Sequence, residues 1–573
     1  MRLQPAFLMF LRRYWYPLAA GALIALGVAS RLALILLGWP HGNSEEGTMG
    51  LEAMHILLRG EHPIYLYGQN YMGVGEAYAG ALAFRLFGIS TAALRLIMVV
   101  CYALFLLGVC WLARLLYSRR VALVSLVALI LGTPFLVQIE LLADGGKAET
   151  MALGALMFAL TSWLALTQPA ERVSPRRRAL RYGAFIAWGV MAGFGLYTYT
   201  IIAPFALTTG LLLWLTCRRE LRGWALALPL AGLLVGLLPD ILYTVTTPLA
   251  NNPIAVFWSL HQSLNAGGGS NALQPLKQLD GLLLYTLPTV TGLTNVYPVE
   301  ALPLHGPPGG STILAVLVGG SWSLGYLALL VAATWRPFSA LRASGALRWG
   351  SWGSVAARAM TRAEAQSVAR LMLALTAWLT IAAYTLSATA ANNPHSGRYM
   401  IGLLVVTPAV LWPLLDATSG SRSARRGAWR DAWRDAGRPL AIALLGVSLV
   451  MGVASVARAL PDGLAADARD IRFVNALRAE GVTRFYADYW TCDLINFTSR
   501  ERLTCAVIGD YGQPGLTRYR PYYDAVRADP SAPYVLSPRS AIERTFLLHA
   551  AQTHQRYSLR VIAGHDVYTP IGA

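Results

Sequence analysis

The sequence predicts a polytopic α-helical membrane protein of about 11 transmembrane helices with a C-terminal extracytoplasmic α/β domain. Three observations carry this expectation. The 573 residues are 55% hydrophobic and only 13% charged, with a mean hydropathy of +0.48. Several windows reach the roughly 20 apolar residues that cross about 30 Å of hydrocarbon. Arginines crowd into alternate gaps between those windows, and beyond Ala457 the chain turns polar and alternates between helix-like and strand-like runs.

In chain order the apolar spans read as residues 17–39, 94–117, 121–137, 150–166, 182–199, 201–216, 224–243, 312–335, 371–390, 399–415 and 440–457. The N-terminal MRLQPAFLMFLRRYWYP is basic but lacks a small-residue cleavage site after the apolar run, so an uncleaved first helix is expected. Its first dozen or so residues are expected to lie as an interfacial helix. Arg119 and Arg120 fill one gap; Arg172, Arg176, Arg177, Arg178 and Arg181 another; Arg218, Arg219 and Arg222 a third. Further basic connectors fall at 336–370 and 422–438. The positive-inside rule puts these gaps in the cytoplasm, with the N-terminus inside and everything after Ala457 outside. The net charge of +18 is therefore topological, and no nucleic-acid partner is expected. The domains divide as a membrane unit at 1–459, with outer loops 40–93 and 244–311, and a soluble unit at 460–573.

The first outer stretch, residues 38–88, organises the rest. It places Glu45 and Glu46 side by side just beyond the first span, then Tyr65, Tyr67, Gln69 and Tyr71. Residues 74–86 form an apolar run too short to span and are expected on or in the interface. The second outer segment, QIELLADGGKAET, crowds Glu140, Asp144, Lys147 and Glu149 around a Gly-Gly turn. The third outer segment is the long loop 244–311, and the fourth, ANNPHSGR, puts His395 and Arg398 just before a span. Two adjacent acids in such a loop have three readings. They can cap a helix, since Asn43, Ser44 and Glu46 resemble a cap. They can join Glu76, Asp144 and Glu149 in a cation site. Or one can take a proton from an acceptor hydroxyl attacking an anomeric carbon. That displacement needs positive charge against a departing phosphate, for which Lys147, His395 and Arg398 are the outer-face candidates.

The tail reads as a small α/β domain of about 110 residues. Helix is expected up to Gly481, then strand, helix and strand through Gly509, then further alternation to Ile571. Cys492 and Cys505 could pair in an oxidising compartment; Cys101, Cys110 and Cys217 read as packing residues.

The order of a first helix, an outer S-E-E-G, A-M-H-I-L-L-R-G-E-H-P-I-Y and Y-G-Q-N-Y-M-G-V-G-E-A-Y resembles the protein O-mannosyltransferase and aminoarabinose transferase branch of the GT-C glycosyltransferases. L-A-D-G-G-K-A-E, G-L-L-P-D-I-L-Y and G-R-Y-M-I-G-L agree, and the likeness covers about residues 15–415. It implies a GT-C-like fold and a catalytic acidic pair in the first outer loop. Glu45 stands where the family usually has aspartate, one methylene longer, and Glu46 is its acidic neighbour. The implied activity is inverting transfer of a hexosyl or pentosyl unit from a polyprenyl-phosphate sugar donor to a lipid, glycan or protein acceptor. Glu45 is the expected base, with Glu46 orienting the acceptor or the loop. Arg398, Lys147 and His395 are expected on the donor phosphate, and Tyr65, Tyr67, Gln69, Glu76, Asp144 and Glu149 around the substrate. No cofactor is required, though a divalent cation, Mg or Mn, is compatible. The implied location is a bacterial plasma (inner) membrane, among membrane lipids. The rival reading is a transporter or flippase of a lipid-linked or small polar substrate, which calls for ionisable residues in mid-helix. Arg31, Arg95 and Asp240 instead lie near predicted span ends.

The charge asymmetry gives a direct test. A cysteine reporter near Ala573 should be labelled by an impermeant thiol reagent in intact cells; labelling only after lysis would reverse the topology.

Overall fold

The computed structural model describes residues 5–167, 174–266, 274–293, 310–345, 360–387, 389–392, 396–416 and 428–571. Arg172 and His395 lie outside the described residues. In hydrocarbon no water satisfies backbone N–H and C=O groups, so the apolar runs close their hydrogen bonds within helices. The helices that matter here are α1 (Pro5–Leu36), α2 (Ser44–Arg59), α3 (Gly75–Phe87), α4 (Thr91–Leu116), α5 (Arg119–Ile130), α6 (Pro134–Leu141), α7 (Lys147–Leu166) and α8 (Pro175–Thr198). Eight described helices are long and apolar enough to cross a membrane, or up to 10 spans if each of two bent pairs counts as one. The expected run 440–457 lies inside the helix Ala428–Ala479, which passes residues 459–460 without a break.

Three expectations change, the first being that the expected span 224–243 is two helices, Gly223–Gly236 and Leu238–Thr246, bent by 60°. α1 runs unbroken from Pro5 to Leu36 through Pro17, so the described N-terminal residues form no separate interfacial helix. The expected span 121–137 is two helices, α5 and α6, bent by 89°. Thr133 ends the first by capping α6, accepting from the N–H of Leu136 at 3.1 Å, and Pro134 opens the new helix where a missing N–H costs nothing. The turn carries Glu140 to Arg31 of α1, whose Nε and Nη2 donate to its Oε2 at 3.0 and 2.7 Å.

The tail forms the expected α/β unit. Its strands are β1 (Arg484–Ala487), β2 (Thr504–Val507), β3 (Tyr534–Leu536), β4 (Tyr557–Ile562) and β5 (His565–Pro570), in the order β2-β1-β3-β5-β4. β1 pairs parallel with β2 and β3, while β5 is antiparallel to β3 and β4. The helix Tyr489–Thr498 between β1 and β2 is joined to β2 by a Cys492–Cys505 disulfide, with Cα atoms 5.0 Å apart.

This helix docks the domain on α2. A Cβ on Gly47 would stand 2.6 Å from the Asp493 backbone, and one on Gly50 2.6 Å from the Phe497 ring, so only glycine admits the approach. Thr48 Oγ1 donates to Asp493 Oδ2 at 2.9 Å, and Arg500 Nη2 donates to the Ile89 carbonyl at 2.9 Å. The domain thus sits over the first outer loop.

Gly47→Ala should destabilise this docking by about 1–3 kcal/mol, because a backbone contact cannot yield as a flexible side chain would. Thermal unfolding in detergent and proteolytic release of the tail measure it. Gly183→Ala, where a Cβ meets nothing within 4 Å, is the control and should be silent.

Candidate functional site

Asn43 begins the site. Its extended backbone (φ −130°, ψ 174°) stops one run of chain, and its side chain accepts from the Glu46 N–H at 2.8 Å, starting α2. Glu45 and Glu46 fall in the first turn, where carboxylates suit the helix dipole. Successive helical residues point about 100° apart, so the two acids face different surroundings. Glu46 turns inward and is 1% exposed. Arg95 of α4 grips it in a two-pronged pair, Nε to Oε1 at 2.7 Å and Nη2 to Oε2 at 2.6 Å, and the Ala143 N–H adds 3.3 Å to Oε1. Glu45 keeps 16% of its side chain exposed. Its Oε2 lies 3.5 Å from Arg398 Nη1, and its Oε1 lies 3.8 Å from Arg518 Nη2.

Arg398 opens a helical segment, Gly397–Val406, and is 36% exposed at its side chain. Gly397 lets that segment enter closely, since a Cβ there would meet Val290 Cγ2 at 2.8 Å. The guanidinium stands 5.3 Å from the Tyr399 ring centre and donates to its hydroxyl at 3.5 Å. Tyr71, Tyr199 and Tyr399 share this electrostatic neighbourhood. Burial, reinforced by Tyr399, pushes the Tyr71 phenol above its ordinary value, which keeps it a proton-bearing donor.

The tyrosine-rich loop is mostly spent on its own geometry. Tyr65 donates to Asp240, and Tyr67 donates to Glu61 at 2.5 Å. Tyr197 closes the loop by donating to the Ile64 carbonyl at 2.5 Å and accepting from the Val74 N–H at 3.2 Å. Gly68 turns it with φ +70°, and a Cβ there would stand 3.2 Å from Arg518 Cα. Gln69, with its amide oxygen turned to Arg518, accepts at 3.1 and 3.2 Å.

The second outer loop also looks inward. Glu76 of α3 accepts from the N–H groups of Gly145 (3.1 Å) and Gly146 (2.7 Å), a pair of left-handed glycines that aim two donors at one carboxyl. Burial, and then the adjoining Glu149, raises Glu76 well above the ordinary carboxyl range. Lys147 is buried in an ion pair with Asp144 at 2.6 Å. These contacts show where the expected site residues lie. Tyr65, Tyr67, Glu76, Asp144, Glu149 and Lys147 bind one another or neighbouring loops, whereas Arg398 does reach Glu45 and Gln69 touches it through Arg518. Glu76, Asp144 and Glu149 do not converge with Glu45: among the described residues no group of three or more His, Cys, Asp or Glu is placed to hold a metal ion. Arg518 and Tyr199 escaped the sequence reading, and Arg95 figured there only as a residue near a span end. Arg518 lies in a run with no motif, some 470 residues from Glu45, and only a fold can join them.

Beside the acid pair, a polar cluster ties the tail to α2. His55 meets Tyr67 Oη at 3.0 Å through Nδ1 and Glu501 Oε1 at 3.1 Å through Nε2. Tyr522 and Arg59 donate to the same Glu501 oxygen at 2.8 and 2.5 Å. Burial alone would raise Glu501, but these hydrogen bonds and the charges of His55 and Arg59 win and hold it down at about 2. Asp493 goes the other way: burial, only partly offset by Thr48 and Arg518, pushes it up to about 6.

No protein-family model matches the chain, and no curated protein matches it. Solved structures do. ArnT from Cupriavidus metallidurans bound to undecaprenyl phosphate superposes over 98% of this chain and 98% of its own, at 14% identity and a TM-score of 0.51. The oligosaccharyltransferase of Archaeoglobus fulgidus, tethered through a disulfide to an acceptor peptide, covers 98% of this chain and 74% of its own, at 14% identity and a TM-score of 0.53. The same enzyme in complex with Zn and sulfate covers 95% of this chain and 72% of its own, at 12% identity and a TM-score of 0.51. At such identity the likeness is one of fold. The chain shares the fold of these solved structures, through both the membrane part and the tail.

Glu501 sets a pH test. Its ionised form is favoured on folding, so its contribution is fully present above the ordinary 4.5 and is lost as pH falls towards about 2. The stability gap between wild type and Glu501→Gln, read by thermal unfolding, should therefore shrink on acidification through that window. Asp493 has the opposite sign: its stabilising share is present below the ordinary 3.8 and lost as pH rises through about 6. A Glu501→Gln gap that does not change with pH would remove the cluster from the docking account.

Proposed function

We propose that this chain is a membrane glycosyltransferase that moves a sugar from a polyprenyl-phosphate donor to an acceptor hydroxyl at the outer face, with inversion. The observation that carries the reading is the division of labour within the acid pair. Glu46 is buried and locked by Arg95, while Glu45 is part-exposed and faces two guanidiniums without a tight bond to either. The fold supports it: ArnT shares that fold and was captured with undecaprenyl phosphate, and the oligosaccharyltransferase with an acceptor peptide.

In this reading Glu45 takes the proton of the acceptor hydroxyl as its oxygen attacks the anomeric carbon from the face opposite the phosphate. The bond from that carbon to the phosphate oxygen breaks, and the polyprenyl phosphate departs with the electron pair. Arg398 stabilises the charge that develops there; its planar fork matches a phosphate in a way a lysine ammonium does not. The 3.5 Å contact between Arg398 and Glu45 is loose enough for an arriving phosphate to displace. The Tyr399 hydroxyl lies 3.5 Å from Arg398 Nη2, beside where the phosphate would meet that guanidinium. Glu46 acts through structure, by holding the first turn of α2 so that Glu45 points outward. No step requires a metal. The enzyme sits in the bacterial inner membrane, N-terminus in the cytoplasm and tail outside. The transporter reading gains no observation: Arg31 and Glu140 are buried as a mutual pair.

Glu45→Gln should lower transfer by about two to four orders of magnitude with normal insertion and yield. Glu46→Gln should fail differently, losing stability because Arg95 is left as an uncompensated buried charge, at about 3–5 kcal/mol. Activity of both variants with unchanged stability would reduce the pair to helix caps. Arg398→Lys should raise the donor KM markedly, and Arg398→Ala more; an unchanged donor dependence would move the phosphate elsewhere.

A further inference from the structure

The second guanidinium facing Glu45 comes from the other end of the chain. Arg518 follows β2 in the C-terminal domain, and its side chain is 1% exposed. Nearly every donor it has is committed. Nε gives to the Tyr489 hydroxyl at 2.9 Å, and Nη2 gives to the same oxygen. Nη1 gives to the Tyr67 carbonyl at 3.3 Å, and Gln69 accepts from Nη1 and Nη2. The guanidinium also lies 5.4 Å from the Tyr489 ring centre. Its Nη2 then faces Glu45 Oε1 at 3.8 Å, too long for a hydrogen bond but within reach of direct charge attraction.

The two arginines therefore differ in kind. Arg398 is part-exposed, with one loose contact to Glu45 and one to Tyr399, so it can turn to an incoming phosphate. Arg518 is buried and tied to three residues besides Glu45, two in the first outer loop and one in its own domain. It cannot follow the phosphate. We propose that Arg518 is a positioning residue for the transfer reaction: the C-terminal domain lays it across the first outer loop, where it holds Glu45 and the Tyr67–Gln69 turn in place while Arg398 serves the donor. The tail is thereby part of the reaction centre. The inference rests on Glu45 acting as the base.

The test separates positioning from donor binding and from docking. Purified full-length Arg518→Gln should lose about 10- to 100-fold in kcat with its donor KM within about twofold of wild type. Arg398→Gln should differ by raising the donor KM as well as lowering kcat, because Arg398 meets the phosphate both on binding and as its charge develops. Tyr489→Phe removes the hydroxyl that anchors Arg518 while leaving the charge and the domain in place; it should lower kcat several-fold, again without moving KM. Arg59→Gln loosens docking through Glu501 without touching Glu45, and proteolytic release of the tail reports that loosening for every variant. Arg518→Gln and Tyr489→Phe that keep kcat within twofold of wild type, while Glu45→Gln abolishes transfer, overturn the proposal and leave the base intact. Losses of kcat that merely track release of the tail, with Arg59→Gln on the same line, also overturn it. Full activity in Glu45→Gln sinks the underlying functional reading instead.

Discussion

The buried pair between Glu46 and Arg95 is the constraint on which the outer site depends. Both partners are out of water, and a two-pronged guanidinium–carboxylate geometry is what compensates their lost hydration. The pair joins the first turn of α2 to α4, and the Ala143 N–H brings the second outer loop to the same carboxylate. Three segments are thus registered by one side chain. Because α2 is helical from Ser44, fixing Glu46 also fixes the direction in which Glu45 leaves the helix. The acid with a free face is aimed by the acid without one.

Close approach is the second requirement. Gly47 and Gly50 are three residues apart on one face of α2, so together they form a shallow strip on which the helix Tyr489–Thr498 rests. Contact this near brings Asp493 to Thr48 and lets the His55–Glu501 cluster close beside it. It also carries the segment after β2 down to the Tyr67–Gln69 turn, where the left-handed Gly68 leaves room for Arg518. Glycines in α2 would ordinarily weaken a helix; here they decide what sits on it.

The remaining outer carboxyls show how a membrane protein uses charge for assembly. Glu76 holds the Gly145–Gly146 turn by two backbone donors, and Lys147 neutralises Asp144 one step on. Arg31 and Glu140 do the same between α1 and α6. These contacts tie separate parts of the chain to one another through buried charge.

The sequence by itself determined the polytopic helical class and the α/β tail. Hydropathy and arginine asymmetry are local sums, legible without a fold, and the tail announces itself by the succession of helix-like and strand-like runs. It also singled out Arg398, which the fold brings to 3.5 Å from Glu45. What it could not decide was which acids face inward, that residues 121–137 would break at Thr133, or that Arg518 would meet Glu45. Those are matters of which surfaces come together across hundreds of residues. Only the tertiary structure decided them, because burial and pairing belong to contacts between segments and no segment carries them alone.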